Sequence, residues 1–459
     1  MTKGDVFLAA ESSAKRIDMT KGPIWKCLVS FAIPVFIGHL FQQLYNTADS
    51  IIVGNFVGKE ALAAVASSGN LIFMMTGFFM GLCMGAGVII SRYLGARDFE
   101  KMKKAIHTAV AFGLCCGLTL SVLGLWLAPK LLILMKTPEN VLPLSTTYFR
   151  IYFFGSFFSL TYNVCAGILQ AVGDSKSPLR FLMIASMTNI VLDLVFVGAF
   201  DLGVAGAAIA TVISQMLSAC LGFRKLLRSE GPYQLHIKEI GFDFSRLKEI
   251  LHQGIPSGVQ NSIISIANVV VQSNINAFGD DAMAGCGSYS KVEGFIFIPI
   301  MSFSMAITTF IGQNLGAGEH ERALKGSRFG ILSAMASAEV MGAILWFICP
   351  WVIPLFNDDP AVVAIGVNQM RTESIFFFAL AFAHSVSAVM RGAGRAKMPM
   401  YTMLVCWCLI RVTYITVAVK FFPVIETVYW AYPLTWMLSC IIFLAYYLKG
   451  DWLHTFDYR

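Results

Sequence analysis

The chain has 459 residues, of which 57% are hydrophobic and 13% charged, and its formal net charge is +7. A soluble globular protein carries about 25% charged residues, so this composition excludes a set of soluble domains, and its hydrophobicity excludes a disordered chain. We therefore expect an all-α integral membrane protein. No basic run interleaved with aromatic residues is present, so no nucleic-acid partner is expected.

Twelve apolar stretches are long enough to cross a bilayer as helices, which takes about 20 residues each. We predict six spans in the first half of the chain, near residues 25–53, 61–91, 106–135, 145–172, 178–199 and 203–223. A more polar linker, 224–248, precedes six further spans, near 249–277, 282–313, 326–356, 362–390, 399–421 and 427–447. An even number of spans places both termini on one side of the membrane.

The basic residues predict which side that is. Of the 34 Lys and Arg residues, 26 lie in the terminal segments and in the loops on their side, five lie on the other side, and three lie within spans. Short cytoplasmic loops carry such an excess of positive charge. We therefore expect a multi-pass protein of a bacterial cell membrane, surrounded by membrane lipids, with both termini in the cytoplasm.

An internal repeat divides the chain into two halves. Ile90–Ala96 recurs as Ile311–Ala317, and Gly173–Pro178 recurs as Gly394–Pro399, in both cases 221 residues later. Six spans in each half give both halves the same orientation, so we predict two six-helix bundles related by a parallel tandem repeat. The predicted parts are a cytoplasmic amino-terminal segment 1–24, an N-lobe 25–223, a cytoplasmic linker 224–248, a C-lobe 249–448 and a carboxyl-terminal tail 449–459.

Repeated bundles of spans that Gly and Pro interrupt are typical of secondary transporters, which work by alternating access. An enzyme is not indicated, because the sequence contains neither an H-E-x-x-H nor a G-x-S-x-G motif. The 11 cysteines show no C-x-x-C spacing, so no metal or redox site is expected from them. We expect no cofactor, and we expect a monomer that acts on small organic molecules.

Ionisable side chains at membrane depth are costly and are therefore candidates for function. Asp49 ends a stripe with Gln42, Tyr45 and Asn46, whose spacing of three and four residues puts them on one face of the first span. Such a polar face is expected to line a cavity rather than to face lipid. The alternative is a buried hydrogen-bond network that only holds helices together.

A second acid, Asp193 in the fifth span, shares a helix face with Asn189, four residues earlier. Thr211 in the sixth span could face both. Carboxylate, amide and hydroxyl oxygens suit a small hard cation such as Na⁺, whereas two buried carboxylates can instead share a proton near neutral pH. The sequence therefore predicts a coupling site for H⁺ or Na⁺ at Asp49, Asp193, Asn189 and Thr211, and leaves the choice of ion open.

The same stretches carry a resemblance to a known family. Residues 31–54, which include Pro34 and the sequence QQLYNTAD at 42–49, resemble the first helix of the multidrug and toxic compound extrusion (MATE) family. Gly173–Pro178, followed by NIVLD at 189–193, resembles its fourth-to-fifth helix region. The resemblance covers essentially the whole chain and implies a MATE-like fold of 12 transmembrane helices in two six-helix bundles.

Within the family, the chain is similar to the DinF-like branch. The resemblance implies that the first-helix acid of that branch matches Asp49 and that its helix-bending proline matches Pro34. It also implies that the supporting polar network includes residues matching Tyr45, Tyr148 and Asn163, and that the cation donors match the four residues predicted above. Protonation is then expected to bend the first helix near Pro34 and to squeeze the substrate cavity.

The NorM-like branch differs, because it has acids in its seventh and tenth helices. Here the seventh span contains no acid between Gly254 and Asn276, and Glu373 in the tenth is the only candidate remnant. Coupling is therefore expected in the first half of the chain. Glu373 and Arg411 both fall near mid-depth, where we expect them to pair in a structural role. No partner is assigned to Glu339.

These features predict a secondary active multidrug efflux antiporter that exports amphipathic or cationic organic compounds in exchange for H⁺ or Na⁺ by alternating access. The alternative is a flippase for lipid-linked oligosaccharides or polysaccharides, which has a related architecture. A flippase of this kind needs a basic cavity for pyrophosphate, whereas only Lys291, Arg371 and Arg411 lie within spans here.

Overall fold

The computed structural model describes residues 17–57, 59–134, 139 and 141–454. The predicted segment 1–24 therefore lies mostly, and the predicted tail 449–459 partly, outside the described residues. Within the described part the chain is helical and contains no β-strand, as expected where the backbone must satisfy its hydrogen bonds internally. The first-half helices are α1 Ile24–Phe56, α2 Lys59–Gly95, α3 Phe99–Leu134, α4 Leu142–Ala171, α5 Lys176–Asp193 and α6 Gly203–Leu227.

The second half continues the same pattern of long helices. They are α7 Phe244–Asn276, α8 Asp280–Gly316, α9 His320–Val352, α10 Pro360–Ser374, α11 Phe377–Gly392, α12 Lys397–Met403, α13 Arg411–Phe421 and α14 Glu426–Lys449. A π-helical segment, Leu194–Ala199, extends α5, and another, Leu404–Ile410, joins α12 to α13. Such wide turns occur mostly as short insertions in α-helices, and frequently at functional sites.

The expected all-α membrane fold is confirmed. Within the described residues, ten helical stretches are long and apolar enough to cross a membrane, and α10 with α11 forms an eleventh that bends by 57°. The predicted seventh span, near 249–277, is helical as part of α7 but falls outside this set. Its many amide side chains, including Gln253, Gln260 and Asn261, make it less apolar than the others.

The break in the tenth span has a defined hydrogen bond. The carboxylate of Glu339 on α9 accepts the backbone N–H of Phe378 at 3.0 Å, in the first turn of α11. Backbone N–H groups in the first turn of a helix have no partner within the helix. Glu339, to which the sequence assigned no partner, therefore satisfies one of the N–H groups that the break exposes.

Contacts between residues divide the chain into two compact units, whose borders fall inside helices. Unit 1 comprises the chain up to Asp18 and Ile37–Gly258, and unit 2 comprises Met19–Phe36 and Val259–Arg459. The borders within α1 and α7 follow closely on Pro34 and Pro256. Each of these two helices therefore contributes to both units. The lobe boundaries 25–223 and 249–448 remain a prediction from the repeat.

The linker is held within unit 1 by side chains of α3. The backbone N–H of His236 donates to Nε2 of His107 at 3.0 Å, and Nδ1 of the same ring contacts the carbonyl oxygen of Lys103 at 2.7 Å. An acceptor Nε2 requires the neutral imidazole, with its proton on Nδ1. Lys103 also pairs with Glu239 of the linker at 2.7 Å. These contacts fix the linker on the end of α3.

Candidate functional site

The predicted stripe lies on the second half of α1, in unit 1. Asp49 is buried, with 7% of its surface exposed, and Tyr45 is half-buried. Gln42 and Asn46 are exposed on the protein surface. Gln42 and Tyr45 lie about one turn apart, as do Asn46 and Asp49, so these side chains share a polar face of α1 on which Asp49 is the buried member.

The second acid lies where α5 changes its helical pitch. Asp193 is the last residue of α5, directly before the π-helical segment, and none of its surface is exposed. Asn189 lies one turn earlier and is 1% exposed. A wider turn changes the direction of the side chains next to it. Asp193 lies at such a position, because the regular α-helix ends there.

The carboxyl groups of Asp49 and Asp193 lie close enough to each other to interact electrostatically. Two ionised carboxylates cannot bond to each other, because each only accepts. Both oxygens of Asp193, Oδ1 of Asp49 and both amide atoms of Asn189 are buried without a hydrogen-bond partner in the structure. A proton shared between the acids would satisfy carboxyl oxygens, and a cation could be bound by the oxygens of all three side chains.

Tyrosine side chains surround the acid pair. Tyr45 of α1 and Tyr148 of α4 both lie within electrostatic range of Asp49 and Asp193. The ring of Tyr148 stacks against that of Tyr152, with 6.3 Å between their centroids. Tyr148 also packs in a small apolar cluster of α1, α4, α5 and α6 residues. Tyrosine rings are therefore among the neighbours of the two buried acids.

Two other predicted residues have local hydrogen bonds instead. Thr211 is buried on α6, which packs against α5, and its hydroxyl donates to the carbonyl of Ala207 at 3.1 Å. Its oxygen keeps lone pairs for a cation. Asn163 on α4 is half-buried and donates to the carbonyl of Ser159 at 2.8 Å. No contact joins Asn163 to the acid pair within the described residues.

Sequence reasoning missed one residue of this face. Ser186 lies one turn before Asn189 on α5, is 3% exposed, and has a buried hydroxyl without a hydrogen-bond partner in the structure. Its spacing of three from Asn189 and seven from Asp193 is the signal that could have found it. A serine in a membrane helix is common, so the spacing alone did not single it out.

The donor set fits a small cation or a proton. Oδ1 of Asp49, both carboxyl oxygens of Asp193 and Oδ1 of Asn189 are buried without a hydrogen-bond partner in the structure, and such hard oxygens are the ligands that Na⁺-like cations prefer. No group of three or more His, Cys, Asp or Glu side chains suited to a metal ion is found among the described residues.

The expected pairing of Glu373 with Arg411 is not found. Glu373 accepts hydrogen bonds from Tyr289 at 2.7 Å and Gln369 at 2.8 Å, whereas Arg411 donates to Thr435. The two charges remain within electrostatic range without forming an ion pair. Both charged groups form their hydrogen bonds with neutral side chains instead of with each other.

The model of the MatE family matches the chain twice, at residues 34–195 and 256–417. The two matches have equal length and together cover more than half of the chain. Both begin at a proline, Pro34 in the first and Pro256 in the second. The repeat inferred from short motifs is thus also found by comparison with a family.

Individual proteins are similar over most of their length. The "Probable multidrug resistance protein YpnP" of Bacillus subtilis is 29% identical over 86% of this chain and 89% of its own length. The "FAD transporter" of Shewanella oneidensis is 26% identical over 76% of this chain and 78% of its own. A solved outward-facing structure of a multidrug resistance MATE family transporter is 26% identical, with a TM-score of 0.91 and coverage of 96% and 99%.

Proposed function

Because the chain belongs to the MatE family, whose similar members include multidrug resistance proteins, we propose that it is a secondary antiporter that exports amphipathic or cationic organic compounds in exchange for H⁺ or Na⁺. The observation that carries the proposal is the facing pair of Asp49 and Asp193, whose buried oxygens have no partner. Two acids in this arrangement bind one positive charge far better together than either does alone.

The acid pair can link ion binding to helix position. When both carboxylates are ionised they repel each other, and a proton or Na⁺ between them removes the repulsion. One acid belongs to α1 and the other to α5, so binding draws the second half of α1 towards α5. Pro34 lacks an N–H and weakens the α1 hydrogen-bond ladder, which gives α1 a point at which to bend.

The driving force is adequate for efflux. One charge moving down a potential of about 150 mV releases roughly 3.5 kcal/mol, and this supports a gradient of a neutral solute of about a few hundred-fold. A cationic substrate exchanged for one proton moves no net charge, so it draws on the pH difference alone.

We place the protein in a bacterial cell membrane as a monomer with both termini in the cytoplasm. The excess of Lys and Arg on that side supports this orientation. Its chemical partners are small organic molecules and the surrounding lipids. Transport of this kind makes and breaks no covalent bond, so the proposal includes neither a catalytic step nor a cofactor.

A flippase for lipid-linked saccharides is the competing proposal, and the basic residues within the spans give it little support. Lys291 lies over the ring of Phe356 and Arg371 over that of Trp346. Arg411 is buried, and two of its N–H groups donate hydrogen bonds to the hydroxyl of Thr435. A pyrophosphate site needs several converging cations, whereas each of these cations contacts its own aromatic or hydroxyl partner.

The test is efflux of ethidium from vesicles that contain the purified protein, with proton and sodium gradients imposed separately. Export that follows one of the two gradients and is lost in Asp49→Asn supports the proposal. Export by Asp49→Asn at the wild-type rate would remove the acid pair from the mechanism. Indifference to both gradients would favour the flippase.

A further inference from the structure

One cavity of unit 1 shares no lining residue with the acid pair, and the proposed function gives it no role. It has a volume of about 420 Å³ and is formed by the first three turns of α3 together with the linker docked on them. Ligand sites in proteins have volumes of about 300–1,000 Å³. The polar lining of this linker cavity includes Glu100, Lys103, Lys104 and Thr108 of α3 and Glu239 and Asp243 of the linker.

Specific bonds between α3 and the linker fix the shape of the linker cavity. The backbone N–H of Asp243 donates to Thr108 Oγ1 at 3.1 Å. Asp243 Oδ1 in turn accepts the backbone N–H of Arg246, in the first turn of α7, at 3.1 Å. Lys103 Nζ lies 2.7 Å from Glu239 Oε2. The lining residues are thus bonded to each other across the two segments, so the cavity is preformed.

The remaining charges of the lining have no partner of opposite charge. Glu100 and Lys104 are exposed, and neither side chain forms an ion pair or a hydrogen bond with another described residue. Asp243 adds a second carboxylate, whose Oδ2 is not hydrogen-bonded within the described part of the chain. The cavity therefore offers one cation and two anions to a ligand, which fits a group that carries charges of both signs.

The linker cavity lies at the end of an exposed stripe of α3. Phe99–Leu127 of this helix is long and apolar enough to cross a membrane. Cys115, Leu118 and Val122 follow Lys104 at spacings that return to the same helix face, and all three are exposed. Lipid tails are as apolar as such side chains, so they are expected to cover this α3 stripe. A lipid on the stripe would place its headgroup beside Lys104.

The linker exposes large apolar side chains close in sequence to the cavity. Phe242, which lines it, is 44% exposed, Phe244 is 80% exposed and Ile237 is 64% exposed. Exposure of such surface to water is unfavourable, whereas a segment that combines apolar and basic residues is stable at a membrane surface. Lys238 and Lys248 of the linker are exposed as well. The linker is therefore suited to lie at the level of the lipid headgroups.

We propose that the linker cavity binds the headgroup of a zwitterionic aminophospholipid, as in phosphatidylethanolamine, from the surrounding membrane. Lys104 contacts the phosphate, since a lysine ammonium binds phosphate as a point charge. Glu100 and Asp243 accept hydrogen bonds from the primary ammonium of the headgroup, which has three N–H donors like that of a lysine. The acyl chains then lie along the α3 stripe. This site is separate from the ion that drives transport.

The charges of the cavity distinguish this headgroup from other phospholipid headgroups. Phosphatidylcholine has the same two charges, but its quaternary ammonium has no N–H to donate to the carboxylates. Phosphatidylglycerol has no ammonium, so its phosphate would lie near two carboxylates with only Lys104 to balance the repulsion. A free phosphate ion has the same disadvantage, and it has no chains to cover the α3 stripe. We therefore expect the tightest binding for phosphatidylethanolamine and the weakest for phosphatidylglycerol.

The experiment titrates the purified protein in detergent with short-chain phosphatidylethanolamine, phosphatidylcholine and phosphatidylglycerol, and counts bound lipids by native mass spectrometry. The wild type should bind the ethanolamine lipid about fivefold more tightly than the choline lipid, the upper end for an ion pair that water reaches. Lys104→Gln should weaken the binding of both. Glu100→Gln should lower the affinity for the ethanolamine lipid more than that for the choline lipid. Equal affinities in the wild type, or a preference for phosphatidylglycerol, would overturn the proposal.

A neighbouring lysine provides the matched control. Lys101 lies one turn before Lys104, pairs with Asp98 at 2.7 Å and does not line the cavity. Lys101→Gln removes the same charge from the same helix, so it should bind lipid as the wild type does. Equal losses in Lys101→Gln and Lys104→Gln would show a general attraction to surface charge and would refute the site. Lipid affinity is measured without substrate or ion gradient, so the result does not depend on the proposed transport.

Discussion

Gly85 of α2 and Gly254 of α7 bring two helix backbones into direct contact within unit 1. A Cβ atom on Gly85 would lie 2.5 Å from the backbone nitrogen of Gly254, and one on Gly81 would lie 2.3 Å from Cα of Gly258. Each helix thus presents two glycines four residues apart, a spacing that lets membrane helices pack closely. These contacts hold the first part of α7 against α2 on both sides of Pro256.

We predict that Gly85→Ala destabilises the protein. The clash is with backbone atoms, which cannot rotate away, so the cost should reach or exceed the roughly 1–3 kcal/mol typical of overpacking. Gly87→Ala in the same helix is the matched control, because its Cβ would lie 3.7 Å from the nearest atom, an ordinary contact. Thermal unfolding in detergent measures both, and equal midpoints for the two variants would contradict the close contact.

Glu339 is predicted to stabilise the broken tenth span and to take no part in coupling. Glu339→Ala removes the acceptor of the Phe378 N–H and should cost about 0.5–2 kcal/mol, the range for a lost helix cap. Glu339→Gln keeps an acceptor oxygen and should retain most of that stability. Both variants should keep the ion dependence of ethidium efflux. Loss of that dependence in Glu339→Gln would make Glu339 a coupling acid.

Linker docking is predicted to weaken in acid. The hydrogen bond from Lys103 holds the pKa of Glu239 below its ordinary value, so the pair is present at neutral pH and is lost as the pH falls through that lowered pKa. Glu239→Gln should remove the stabilisation of linker docking by this ion pair even at neutral pH. Hydrogen exchange of the His236 amide, which bonds to His107, measures the docking. Glu230→Gln, an exposed acid of the same linker, is the control, and equal exchange in both variants would refute the prediction.

Pro34 is predicted to serve motion rather than ion binding. It is buried inside α1, two residues before the border between units. Pro34→Ala restores the missing backbone hydrogen bond and stiffens α1 at this point. Ethidium efflux should therefore fall several-fold while ion binding remains. Pro299→Ala changes another proline within a helix and should affect efflux less. A loss of ion binding in Pro34→Ala would contradict the prediction that Pro34 serves helix motion and not ion binding.

The sequence was sufficient for those features that depend on local periodicity or on repeated motifs. Apolar length predicted the spans apart from the seventh, and the 221-residue offset predicted the two halves that the MatE family model matches. The helix-face spacing of Asp49 and of Asn189 with Asp193 identified side chains that are each buried in the structure. Each of these signals lies within one helix, or between copies of one motif.

Contacts between distant helices could not be read from the sequence. Nothing in the spacing of Glu373 indicates that Tyr289 would donate to it from α8, or that Arg411 would turn to Thr435. The predicted pairing of Glu373 with Arg411 rested on equal depth alone, and depth does not determine which faces of two helices meet. For the same reason, the sequence did not predict that the borders of the two units lie inside α1 and α7, and it placed the division at the linker instead.

The most direct test of ion coupling is the number of protons, or of Na⁺ ions, that purified protein releases when ethidium is added. The acid pair in unit 1 predicts that the wild type releases ions. It predicts no release by Asp49→Asn or Asp193→Asn, because each variant keeps only one of the two carboxyl groups. Asp201→Asn, an exposed acid in the loop before α6, should release as the wild type does. Wild-type release from both Asp49→Asn and Asp193→Asn would contradict the assignment of coupling to this pair.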